Sequence, residues 1–263
     1  MDLQLKNKTA LVSGSTAGIG YAIAKLLASE GARVFVNGRT QSRVAEAVAK
    51  IKDETGMAAQ GVACDLSTPE GVKAIEHDLP ELDILVNNLG IYEAKAFDDI
   101  TDQDWEHIFE VNVLSGVRLA RRYLPEMRRK NWGRIIFISS ESAVQIPVEM
   151  IHYGVTKTAQ IALARGLAES TTGTGITVNS VLAGPTRSEG VEEFVKGMAR
   201  QKGVKEEQVE REFFQNIRPS SLLKRFAAPD EVAAMVVYLC SPLASATNGA
   251  ALRADGGVVR SIL

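Results

Sequence analysis

The chain has 263 residues, enough for one large domain or two small ones, and its 45% hydrophobic content supplies a substantial core. A formal net charge of −2 leaves no global basic field to hold nucleic acid or an anionic membrane. The opening Met1-Asp2-Leu3-Gln4-Leu5-Lys6 has no apolar signal core and no later stretch reaches transmembrane length. Cys64 and Cys240 form neither a disulfide framework nor a metal-binding spacing, and His77, His107 and His152 stand apart, so a soluble cytoplasmic protein without a metal is expected.

Apolar runs alternate with helical patterns along the chain. Residues 8–13, around Ala10-Leu11-Val12, read as a buried strand. Residues 18–30 read as a helix with Ile19, Ile23, Leu26 and Leu27 on one face, closed by Gly31. A strand over 33–37, a helix over 42–54, a weaker strand over 59–63 and a helix over 69–79 follow, the last with Pro69 in its first turn. The pattern continues with a strand over 82–87 and a long helix over 102–129, with a kink expected at Pro125. Then come a strand over 134–139, a helix over 151–172 ended by Gly173, a strand over 176–182, a helix over 231–240 and a short strand over 250–254. Repeated strand–helix units imply parallel strands with right-handed crossovers. The expected architecture is a Rossmann-like, doubly wound α/β sheet of about seven strands in a single domain.

Two segments stand out. Arg118, Arg121, Arg122, Arg128, Arg129 and Lys130 cluster at helical spacing, which reads as a solvated helix face rather than a nucleic-acid patch. Residues 187–225 break the rhythm just after the sixth strand, with Val191, Phe194, Val195 and Met198 at helical spacing. Ligands bind at the carboxyl ends of strands in such sheets, so a helical flap over a substrate is expected there.

Three constellations carry chemistry. Gly14-Ser15-Thr16-Ala17-Gly18-Ile19-Gly20 joins the first strand to the first helix, where free N–H groups and a positive dipole end suit a pyrophosphate. The second strand ends Val36-Asn37-Gly38-Arg39-Thr40, with no acid to bind a ribose 2′-hydroxyl. Arg39 can instead receive a 2′-phosphate, which favours NADP(H) over NAD(H). Tyr153 and Lys157 lie four apart on one helix face, thirteen residues after Ser140 at a strand end. A free phenol titrates near 10; bringing it to about 7 needs roughly 4 kcal/mol, within reach of one ammonium in a desolvated site.

With these motifs the chain resembles the short-chain dehydrogenase/reductase family over essentially its whole length. Asn87-Asn88-Leu89-Gly90 resembles the family's Asn-Asn-Ala-Gly, and Asn112, Ser140, Tyr153 and Lys157 match its catalytic tetrad. The resemblance implies that Asp65, followed by Leu66, contacts adenine and that Thr186 lies near the nicotinamide carboxamide. Gly14, Ser15, Thr16, Gly18, Ile19, Gly20, Arg39, Asn88, Gly90, Gly184 and Pro185 complete the implied cofactor set, with Tyr153 and Lys157. Ser13 stands where the family has Thr, Leu89 where it has Ala, and Ala183-Gly184-Pro185 where it has Pro-Gly.

The implied activity is hydride transfer between NADP(H) and a carbonyl/secondary alcohol pair. Tyr153 moves the proton, Ser140 binds the reacting oxygen, Lys157 holds the nicotinamide ribose and Asn112 positions a water. Ile91, Tyr92, Glu141, Gln145, Ile146, Met150 and His152 flank these positions as substrate-facing candidates. Alternatives are 3-oxoacyl-acyl-carrier-protein reduction, a non-catalytic NADP-binding sensor, or a scaffold that assembles through its long helices. The resemblance also implies a homotetramer or homodimer.

Overall fold

Alternation along each strand sends successive side chains to opposite faces, and both faces of this sheet are buried. The computed structural model describes residues 1–76 and 78–262. Its strands are β1 (Thr9–Val12), β2 (Arg33–Gly38), β3 (Gln60–Ala63), β4 (Ile84–Asn87), β5 (Gly133–Ser140), β6 (Ile176–Ala183) and β7 (Ala251–Ala254). They form one sheet in the order β3-β2-β1-β4-β5-β6-β7, every pair parallel. Ala10 and Val12 point into a core beneath helices α1 (Gly18–Ser29) and α9 (Pro229–Cys240). Leu11 points the other way, into a core shared with α5 (Ser115–Lys130) and α6 (Ile151–Ser170).

The remaining helices are α2 (Gln41–Thr55), α3 (Pro69–Ile75), α4 (Asp102–Phe109), α7 (Glu189–Lys202) and α8 (Glu206–Glu212). The helix expected over 69–79 closes at Ile75, and His77 lies outside the described residues. The helix expected over 102–129 is not continuous α: a π turn over Glu110–Leu114 separates α4 from α5, and Ser115 Oγ donates to Val111 O at 2.6 Å. Such turns insert one residue into the spiral and often mark functional sites. The helix runs on through Pro125 to Lys130. Pro125 and Arg121 are both exposed, so the carbonyl that loses its partner meets water.

Much of the basic cluster is paired with acids of the fold: Arg118 with Glu110 at 2.7 Å, Arg122 with Glu76 at 3.5 Å, Arg129 with Glu81 and Glu126, and Lys130 with Glu81 and Asp83. No helix among the described residues is long and apolar enough to cross a membrane.

The strand order reverses between β1 and β4, opening a crevice at their carboxyl ends. Asn37, at the end of β2, holds the near wall. Its Oδ1 accepts from Gly14 N at 3.0 Å, and its Nδ2 donates to Val62 O and Cys64 O at 3.1 and 3.0 Å. Its own N–H donates to Ser15 Oγ at 2.9 Å. One buried amide therefore ties the turn after β1 to the end of β3. Asn37→Leu removes all three side-chain bonds and leaves their partners unmet. The expected loss is about 3 kcal/mol in urea unfolding.

Candidate active site

The turn from β1 to α1 is built to leave backbone donors free. Gly14 and Gly18 have φ of +59° and +58°, where a side chain is strained. A Cβ on Gly20 would lie 2.4 Å from Asn88 Nδ2 and 2.5 Å from Gly14 O, so only glycine lets α1 approach. Ala17 caps α1 with no side-chain acceptor, and its first turn carries no acid. The amides there suit an anion, so the cradle fits a pyrophosphate. Ser15 is fully buried and its hydroxyl donates to Val12 O at 2.7 Å, so it shapes the turn from inside.

The opposite wall follows β4. Asn88 Nδ2 donates to Ser13 O and Gly14 O at 3.0 and 2.9 Å, while Ser13 Oγ accepts from Asn88 N and Leu89 N. The Ser13 hydroxyl thus bridges the end of β1 to the chain leaving β4. Leu89 packs against the core shared with α5 and α6, beneath the turn.

Past β2, Arg39 is exposed, and no hydrogen bond or ion pair holds it among the described residues. Gly38 is hemmed in: a Cβ there would lie 2.5 Å from Thr16 Cγ2 and 3.1 Å from Val44 Cγ2. The missing acid therefore has a packing reason besides any cofactor preference. Asp65 turns its carboxylate to Ser67, accepting from N at 3.0 Å and from Oγ at 2.6 Å, so its first partner is the turn into α3. Leu66 is buried in the core and can offer a nucleotide only its backbone.

Ile19, Asn88, Gly90, Ser140, Tyr153, Lys157, Gly184, Pro185 and Thr186 line one cleft of about 460 Å³. Lys157 Nζ donates to Ile138 O at 2.8 Å and to Gln160 Oε1 at 3.2 Å, and burial lowers its pKa to about 8. At Tyr153, burial pushes the phenol above its ordinary value; the neighbouring Ser140 hydroxyl opposes this, and the nearby Glu141 carboxylate adds to it. The ammonium does not offset the burial, because it is turned to Ile138 and Gln160 and sits 5.5 Å from the ring centroid. Burial thus favours the neutral phenol at Tyr153.

Asn112 sits in the π turn, with both ends of its amide used. Oδ1 accepts from Ile91 N at 2.8 Å; Nδ2 donates to Ile91 O and Thr156 Oγ1. Its carbonyl accepts from Gln160 Nε2 at 2.6 Å. Gln160 therefore bridges Lys157 and Asn112, a link absent from the sequence reading although Gln160 lies three residues beyond Lys157 on α6.

The loop after β6 is held despite having Ala183 in place of proline. Gly184 N donates to Ala254 O, Ala227 N donates to Pro185 O, and Thr186 forms a bridge with Ala227. Beyond it, 187–225 forms α7, α8 and a π turn over Phe213–Ile217, packed on a small core of Val195, Ala199, Val209, Phe214 and Phe226. Val191, Phe194, Phe213, Ile217 and Arg218 from this segment line the cleft. Of the substrate-facing candidates, Tyr92, Glu141 and Met150 line it too, with the Tyr92 ring edge-on to Tyr153 at 6.1 Å. Ile91, Gln145, Ile146 and His152 do not line it; His152 is buried against Trp105. Arg218 carried no signal in the sequence. It enters as a buried arginine whose Nε donates to Glu141 Oε1 at 2.8 Å.

Comparison with known proteins agrees with this geometry. The family model described as enoyl-(acyl carrier protein) reductase matches residues 14–259. The chain is 49% identical to the uncharacterized oxidoreductase YvaG of Bacillus subtilis over the full length of both. It is 34% identical to D-beta-hydroxybutyrate dehydrogenase of Cupriavidus necator, covering 97% of this chain and 99% of that one. The crystal structure of L-sorbose reductase from Gluconobacter frateurii, complexed with NADPH and L-sorbose, superposes with a TM-score of 0.94 at 33% identity and full coverage of both chains. A seven-stranded parallel sheet, a glycine turn at its switch point and this family match together identify the chain as a member of the short-chain dehydrogenase/reductase family of oxidoreductases.

Proposed function

We propose that this protein is an NADP(H)-dependent oxidoreductase acting on CH–OH groups and their carbonyls, with Tyr153 as the proton donor and acceptor. The observation that carries this reading is the convergence of Ser140, Tyr153 and Lys157 on a cleft also lined by Ile19, Gly90 and Thr186. When bound, the nicotinamide supplies or takes up the hydride. Tyr153 gives its phenolic proton to the carbonyl oxygen in reduction and takes it back in oxidation. Ser140 hydrogen-bonds that oxygen and orients the substrate. Lys157 holds the ribose hydroxyls and favours the phenolate once the proton has left. Asn112 and Gln160 fix the lysine side of the site, which supports a positioning role for both.

The glycine turn with Gly14, Thr16, Gly18 and Gly20 would hold the pyrophosphate, and Asp65 and Leu66 would border the adenine. Asn88, Gly90, Gly184, Pro185 and Thr186 would border the nicotinamide. Free Arg39 supports NADP(H) over NAD(H). The flap at 187–225 would act as the substrate lid. A homotetramer or homodimer built on the faces of α4, α5 and α6, in the cytoplasm, completes the reading. The two free cysteines support a reducing compartment.

A panel of carbonyls and alcohols, followed by nicotinamide absorbance with both cofactors, tests the reaction class. Tyr153→Phe is expected to lower kcat roughly 100-fold or more while NADPH affinity stays nearly intact; an unchanged rate overturns the assignment. Arg39→Ala is expected to weaken NADPH about tenfold and leave NADH unaffected, read by fluorescence titration. Burial lowers the Lys157 pKa to about 8, so the charged form is lost as pH rises through that value. The kcat/KM for reduction, which reports the free enzyme, should fall above about pH 8.

A further inference from the structure

The residue after Ser140 is a buried carboxylate. Glu141 is 4% exposed and lines the cleft beside Ser140, Tyr153 and Arg218. Ser140 Oγ donates to Glu141 Oε2 at 2.5 Å, Ser142 Oγ donates to the same oxygen at 2.8 Å, and Arg218 Nε donates to Oε1 at 2.8 Å. Arg218 comes from the flap, directly after the π turn, and also approaches Glu149 Oε1 at 3.6 Å. A serine hydroxyl has one proton. Here that proton is given to Glu141, so it is withheld from any substrate oxygen.

We infer that Glu141 is a specificity-determining acceptor for a hydroxyl on the carbon next to the reacting carbonyl, and that the preferred substrates are neutral α-hydroxyketones or the corresponding vicinal diols. This inference rests on the oxidoreductase reading above and names the substrate class of the same site. Such a substrate offers its own O–H to Glu141 Oε2. Glu141 keeps its full set of donors, and the Ser140 proton is released to the carbonyl oxygen. Oxygens on adjacent carbons match the short separation between Ser140 Oγ and Glu141 Oε2. A simple ketone frees Ser140 only by leaving a buried carboxylate short of a donor, which is unfavourable. A keto acid is disfavoured differently: its carboxylate would meet Glu141 and Glu149 around a single guanidinium. The redox balance is that of the parent reaction. One hydride forms the C–H bond, one proton from Tyr153 forms the O–H bond, and the nicotinamide is oxidised by two electrons.

The test compares 3-hydroxybutan-2-one, butan-2-one and acetoacetate under NADPH, by kcat/KM. A second readout is the calorimetric affinity of each for the protein saturated with NADP+. The wild type is expected to favour the hydroxyketone over butan-2-one by about tenfold or more in kcat/KM, with tighter binding in the calorimeter. Glu141→Gln should bring that ratio towards one, chiefly through loss on the hydroxyketone. The wild-type ratio decides the matter even where the variant fails to fold. Equal use of hydroxyketone and butan-2-one overturns the inference and leaves the oxidoreductase reading standing. Preference for acetoacetate overturns it in favour of Arg218 as a carboxylate anchor. No turnover of any carbonyl with either nicotinamide overturns both.

Discussion

At the carboxyl edge of a parallel sheet the backbone ladder stops, and the peptide groups left there must find partners without filling the crevice. This chain meets that constraint with three short side chains, Ser13, Asn37 and Asn88. Each reaches inward, to the backbone of the neighbouring strand end or turn. The outward amides at the start of α1 are left without a side-chain cap. The open cradle, the close approach of α1 at Gly20 and the separation of the two walls all follow from this arrangement.

Burial governs the chemistry on the other side of the cleft. The same desolvation acts in opposite senses on the two ionisable members of the site, lowering Lys157 and raising Tyr153, so both move towards their neutral forms. Glu141 would be costly in such a place on its own. It is matched by Arg218, which the flap carries in, and by two serine hydroxyls. The segment 187–225 is thus electrostatically part of the site as well as part of its lining.

Much of the architecture was legible because parallel strands buried on both faces read as plain apolar runs and the glycine turn is local. Residues at fixed spacing, such as Tyr153 and Lys157, were legible for the same reason. The π turn at Glu110–Leu114 was not, since its sequence continues a helical pattern and one extra residue leaves no compositional mark. The direction of the Lys157 ammonium was not legible, because four-residue spacing puts Lys157 on the same face as Tyr153 but does not say that its Nζ turns to Ile138 and Gln160. Arg218 reaches Glu141 across 77 positions of sequence, and nothing local to either residue announces that pair. Asn37 was visible only as a polar residue ending an apolar strand, and its side-chain partners come from two other segments, the turn after β1 and the end of β3.

The contact between Gly38 and Thr16 has an evolutionary consequence. Because a Cβ at 38 would lie 2.5 Å from the Thr16 methyl, a side chain there requires that methyl to move, and the two positions are coupled. An acid introduced at the end of β2 would therefore also displace the side chain of residue 16, in the turn that would grip the pyrophosphate. The end of β2 and the turn after β1 therefore constrain each other sterically, whichever nucleotide the site takes.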